Sequence, residues 1–66
     1  MSMLRKLRKA LGLSIAGLTL RIGVHSSTLC QVERRRLAAS STVKKTLAEF
    51  YGKSEKALFD EVGFAK

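Results

Sequence analysis

Proline and tryptophan are absent from this chain, and cysteine, histidine, aromatic and acidic residues are scarce. A single cysteine, Cys30, excludes an internal disulfide and favours a reducing, cytoplasmic setting, because small secreted domains usually need such staples. One Cys and one His cannot supply a four-ligand structural zinc site, so no metal and no cofactor are expected. No apolar run approaches the roughly 18 residues that span a bilayer. The basic N-terminal stretch 1–13 is interrupted by Arg5, Lys6, Arg8 and Lys9, which removes the continuous apolar region of a secretory leader. Phe50, Tyr51, Phe59 and Phe64 all lie in the second half, so stacking on single strands or RNA has little support. Alternating β-branched runs are weak, and repeats and low-complexity tracts are missing.

What is present is positive charge on a foldable chain. Thirteen Lys and Arg against five Asp and Glu give a formal +8. Hydrophobic residues make up 45% of the 66, too many for a disordered basic tail. A domain this small buries only about 60% of the surface its unfolded chain exposes, leaving little scaffold for a large enzyme cleft. An enzyme is therefore not expected. Dense positive charge on a folded mini-domain points to an anionic partner, either nucleic acid or an acidic membrane surface. The charge is uneven. Residues 1–36 carry a net +7 and residues 37–66 only +1. The first half should meet the anion, and the second half should support it or contact another protein.

Leu4, Leu7, Arg8 and Leu11 repeat at i, i+3, i+4 and i+7, one face of a helix that Gly12 stops. Ser14 caps a second helix with Leu18 and Ile22 inward and Ile15 and Leu20 outward. Gly17 within it costs about 1 kcal/mol against Ala. Gly23 closes it, since glycine takes a left-handed turn without a Cβ penalty. A third helix starts near Ser26 with Leu29 and Val32 inward, and Val24 packs from the turn. A loop follows from Arg35. Ser41 or Thr42 caps a fourth helix, about 42–51, whose apolar positions are Val43, Leu47, Phe50 and Tyr51. Ser54 caps a fifth, about 55–62, with Leu58, Phe59 and Val62 on its apolar side, and Gly63 to Lys66 reads as a frayed end. The fold class expected is all-α, a compact five-helix bundle forming a single domain over 1–66.

The window 15–34, I-A-G-L-T-L-R-I-G-V-H-S-S-T-L-C-Q-V-E-R, meets the mechanical needs of a helix-turn-helix. Gly23 permits the bend, Leu18 and Ile22 pack the first helix on the second, and Val24 is buried in the turn. Leu29 and Val32 return to the same core. The outer face of the second helix is then free to enter a major groove.

With the preceding L-R-K-L-R-K-A-L-G-L-S and the closing S-E-K-A-L-F, the chain resembles the phage Cro/repressor-type (XRE-like) helix-turn-helix family from about Leu4 to Phe59. The resemblance implies operator binding by a dimer on a pseudo-palindrome. It also implies base-edge reading by Ser26, Ser27 and Gln31, with Cys30 beside them, and a buried ion pair of Arg8 and Glu33 linking the first and third helices. Three positions depart from the family pattern. Ile15 stands where a phosphate-gripping Gln is common, Thr19 where the usual residue is slightly smaller, and Arg35 where Gly often follows the third helix.

Residue chemistry agrees with part of this. Gln31 donates and accepts in one plane, which suits adenine N6 and N7. The hydroxyls of Ser26 and Ser27 reach a base or a phosphate, or cap the helix. Arg34, Arg35 and Arg36, directly after the recognition helix, are placed for phosphates, and Thr28, His25 and Lys9 complete that expected set. His25 also reads as a plain turn residue, and Arg5, Lys6 and Lys9 as either phosphate contacts or solubilising charge. The leading expectation is a sequence-specific double-stranded DNA-binding regulator of the small-repressor kind, homodimeric on DNA and nucleoid-associated in the cytoplasm. The alternative is a protein-interaction module, such as an anti-repressor or antitoxin, binding its partner through Ile15, Leu20, Phe64 and the acidic end.

Overall fold

Serine decides where four of the five helices begin. In the computed structural model, which describes residues 2–66, the helices are α1 (Met3–Ala10), α2 (Ile15–Ile22), α3 (Ser26–Glu33), α4 (Ser41–Tyr51) and α5 (Glu55–Leu58). Ser2, Ser14, Ser40 and Ser54 each hold extended backbone and accept a hydrogen bond from the amide three residues on. Each thereby satisfies a donor that the first helical turn leaves without an intrahelical partner. Ser14 and Ser54 are the caps read from the sequence. The cap of α4 is Ser40, ahead of the expected Ser41 or Thr42, so that helix begins at Ser41. Ser26 does not cap α3. That role falls to His25, which is therefore not a plain turn residue.

The core is built from one or two large apolar side chains per helix. Leu4, Leu18, Leu29, Val32, Leu47 and Leu58 are almost completely buried. Burying each contributes roughly 1.5–3 kcal/mol. Leu7, Leu13, Ile22, Val24, Val43, Phe50 and Tyr51 pack around them, and the Phe50 and Tyr51 rings meet edge-on with centroids 5.1 Å apart. Ile15, expected to face outward, packs against this cluster, whereas Leu20 is 87% exposed. Leu11, expected on the inward stripe of the first helix, is 58% exposed because α1 ends at Ala10 and the chain turns before Leu11 can face the core.

The C-terminus departs most from expectation. α5 stops at Leu58 instead of about 62, and Phe59 takes an extended conformation. Asp60 is the physical cause. Its Oδ1 accepts from the amides of Val62, Gly63 and Phe64 at 2.9–3.0 Å, offering the backbone an alternative to helix. Gly63 then takes φ +106°, and a Cβ there would stand 3.2 Å from the Ala39 carbonyl oxygen. The chain folds back so that Phe59 bridges Ala65 antiparallel, and the Lys66 amide donates to Leu58 O at 2.9 Å. Residues 63–66 are thus not frayed: Ala65 is buried, the Ala39 amide donates to Gly63 O, and the Met3 amide donates to Lys66 O. Val62, expected inward, is 70% exposed. Among the described residues, no helix is long and apolar enough to cross a membrane.

Candidate nucleic-acid interface

α2 and α3 are joined by residues 23–25. Gly23 ends α2 at φ +75° with its amide donating to Thr19 O at 2.8 Å. This left-handed residue redirects the chain within three residues, and Val24 packs against the core from the turn. Leu29, Val32 and Glu33 are the buried side of α3. Its opposite side is open.

On that open side lie Ser27 and Gln31, both exposed and one turn apart. Ser26 and Cys30 are half-buried on the flank that leads round to Glu33, and Thr28 is half-buried on the other. The four residues expected to read bases therefore divide. Ser27 and Gln31 face outward together, Ser26 and Cys30 are half-buried, and Cys30 lines a cleft shared with α1.

His25 and Ser27 form a unit with defined hydrogen-bond polarity. The Ser27 amide donates to His25 Nδ1 at 3.2 Å, and Ser27 Oγ lies 2.9 Å from the same nitrogen. An amide N–H can only donate, so Nδ1 is the unprotonated nitrogen and the neutral ring carries its proton on Nε2. The Ser27 hydroxyl must then donate to Nδ1 as well, which leaves its oxygen lone pairs as acceptors. The first turn of α3 offers an acceptor at Ser27, a donor at His25 Nε2, and both at Gln31.

Behind this face, Arg8 and Glu33 tie α1 to α3. Arg8 Nε donates to Glu33 Oε2 at 2.9 Å and Nη2 to Oε1 at 3.1 Å, with Nη1 on the Leu13 carbonyl at 2.8 Å. The side chains are only 11% and 6% exposed. The hydrogen bond to Glu33 raises the Arg8 pKa above its ordinary value, against an opposing desolvation, with the Glu33 charge adding to the rise. Nearby, burial pushes the Tyr51 hydroxyl up to about 12, the Glu33 charge adds to this, and Arg8 opposes it.

α3 closes in the way a glycine would close it. The Arg36 amide donates to Gln31 O at 2.9 Å and the Arg35 amide to Val32 O at 3.1 Å, the paired bonds of a Schellman cap. Arg35 occupies the left-handed position at φ +61°, the one non-glycine residue with positive φ among those described. A side chain there costs on the order of 1 kcal/mol relative to glycine.

Arg34, Arg35 and Arg36 are exposed and line a cleft of about 520 Å³ between the end of α3 and the start of α1. Arg5 lines its far wall, while Lys9, expected to serve with them, is exposed outside it. The available signal for Arg5 was its i, i+3 spacing to Arg8, which places it on the side of α1 that meets α3. Among the described residues the only ion pair is Arg8–Glu33, and no group of three His, Cys, Asp or Glu gathers as a metal site. Comparison with protein-family models, curated proteins and solved structures finds no match.

Proposed function

We propose that this protein is a sequence-specific double-stranded DNA-binding regulator, a small repressor of the phage Cro/repressor type. In this reading α2, the turn and α3 form the helix-turn-helix, and α3 enters the major groove. One observation carries the proposal: Ser27 and Gln31 stand exposed on the outward side of a helix directly followed by three exposed arginines, Arg34 to Arg36, that have no ion-pair partner among the described residues. Gln31 reads adenine N6 and N7, and Ser27, as an acceptor, suits the amino group of cytosine or adenine. His25 Nε2 donates to a backbone phosphate, and Arg34 to Arg36 supply the sequence-independent affinity. One domain covers a half-site, so two copies bind a pseudo-palindrome, at the nucleoid.

Selection from random duplex DNA, read by gel shift, tests this. The expected product is two inverted half-sites with centres about one helical turn apart, roughly 34–36 Å. Tight but unselective binding would sink the regulator reading.

A second reading, a protein-interaction module such as an anti-repressor or antitoxin, rests on Leu20 and Val62, two large apolar side chains left exposed. Ile15 no longer supports it, since it packs inward. A flat DNA selection together with a 1:1 protein complex lost on Leu20→Ser would favour this module.

A further inference from the structure

The cleft between α1 and α3 is a built concavity with an uncompensated charge. Arg5 faces it from α1, and Arg34, Arg35 and Arg36 face it from the end of α3 and the following turn. The acid on its wall, Glu33, gives both carboxylate oxygens to Arg8. That pair is internally neutral, so the four other guanidinium groups have no ion-pair partner among the described residues. The volume, about 520 Å³, exceeds what one water or a halide needs and falls in the range of small-ligand sites.

Arg35 is the second, independent observation. It holds a left-handed backbone, φ +61°, at a helix end where glycine would be unstrained. Strain of this kind persists where a side chain has a use. Here the cap geometry fixes the Arg35 backbone beside a cluster of like charges, an arrangement unfavourable until an anion fills it. Planar guanidinium forks match the paired oxygens of a phosphate better than a point charge does.

We infer that this cleft is a phosphate-binding site, separate from the base-reading face, in which Arg5, Arg34, Arg35 and Arg36 hold the oxygens of one phosphate group or of two linked ones. For a DNA-backbone phosphate the inference deepens the DNA reading and rests on it; for a free polyphosphate it stands beside that reading. The phosphate belongs either to a DNA backbone or to a free polyphosphate, and the two sources share the same contacts. Cys30, a free and half-buried cysteine, lines the cleft, which makes it a native reporter of occupancy.

The test uses the full chain and inorganic pyrophosphate. Calorimetry measures binding, and the rate of Cys30 alkylation by uncharged iodoacetamide measures occupancy. Saturable 1:1 binding that protects Cys30 is expected. Arg35→Gly should weaken pyrophosphate binding roughly tenfold while raising the Tm of the free protein. Lys53→Ala, which removes a charge outside the cleft, should change binding less than twofold. If pyrophosphate then displaces a random-sequence duplex, and Arg35→Gly weakens both ligands alike, the natural phosphate is a DNA backbone. If duplex and pyrophosphate bind together, it is a free polyphosphate. Non-saturable binding, unprotected Cys30, or equal losses from Arg35→Gly and Lys53→Ala would overturn the inference. A failed operator selection leaves pyrophosphate binding intact, so the two proposals fail separately.

Discussion

Glu33 accepts two hydrogen bonds from one guanidinium in a nearly buried setting, whereas the nearby Tyr51 hydroxyl is buried with no partner among the described residues. Removing each should have opposite consequences. Glu33→Ala leaves the Arg8 cation buried with only the Leu13 carbonyl, and should cost about 3–5 kcal/mol. That is a large share of the roughly 5–15 kcal/mol that holds a domain together. Tyr51→Phe removes an unsatisfied polar group, and should be neutral or stabilise by up to about 1 kcal/mol. Urea midpoints measure both; a Tyr51→Phe variant clearly less stable than the parent would show that the hydroxyl is satisfied after all. At this scale the sequence was legible where a side chain acts through its own backbone. Ser14, Ser54 and Gly23 declare their roles by type and position. His25 does not, because its capping depends on which ring nitrogen is free. The Arg8–Glu33 pair was implied by family resemblance alone, since nothing local brings residues 25 apart together.

At the scale of elements, legibility follows the range of the interactions. Helices α1 to α4 were visible because apolar periodicity and caps are local. The end of α5 was not, because Leu58, Phe59 and Val62 fit a helical face equally well. What wins is Asp60 binding three amides, the close approach of Gly63 to Ala39, and the chain ends joining through Met3 and Lys66. This turn should carry a pH signature. Desolvation raises the Asp60 pKa, but hydrogen bonds from Phe64, Gly63 and Val62, with the Lys66 charge, outweigh it and hold the carboxyl below its ordinary value. A depressed folded-state pKa means stabilisation present above the unfolded value, about 3.9, and lost as pH falls through the folded one. Asp60→Asn keeps the accepting oxygen but not the charge. The variant should melt below the wild type at pH 7, and the gap should close as pH falls below about 4. A Tm difference unchanged from pH 7 to pH 2 would remove the carboxylate from this account.

For the whole molecule, the question is how a net +7 in residues 1–36 divides between affinity and choice. The one ion pair among the described residues withdraws one cation and one anion together, so it leaves that net charge in place. The arginines that follow α3 surround a cleft on its α1 side, while the exposed side of α3 itself presents the uncharged Ser27 and Gln31. Charge and hydrogen-bond chemistry are thus separated in space, and the proposed DNA binding should separate them in measurement. If about five phosphates are neutralised, log K should fall with log salt at a slope of about −4 to −5. That slope should be similar for a selected operator and for random duplex, because phosphates are the same on both. Gln31→Ala should lower operator affinity by about 1–3 kcal/mol, relax one base position, and leave the slope alone, whereas Arg34→Ala should weaken both duplexes and reduce the slope by about 1. Anisotropy titrations between 50 and 200 mM salt give all of these quantities. If Gln31→Ala weakened operator and random duplex equally, the outward face of α3 would have no part in choosing sequence, and the charge would be acting alone.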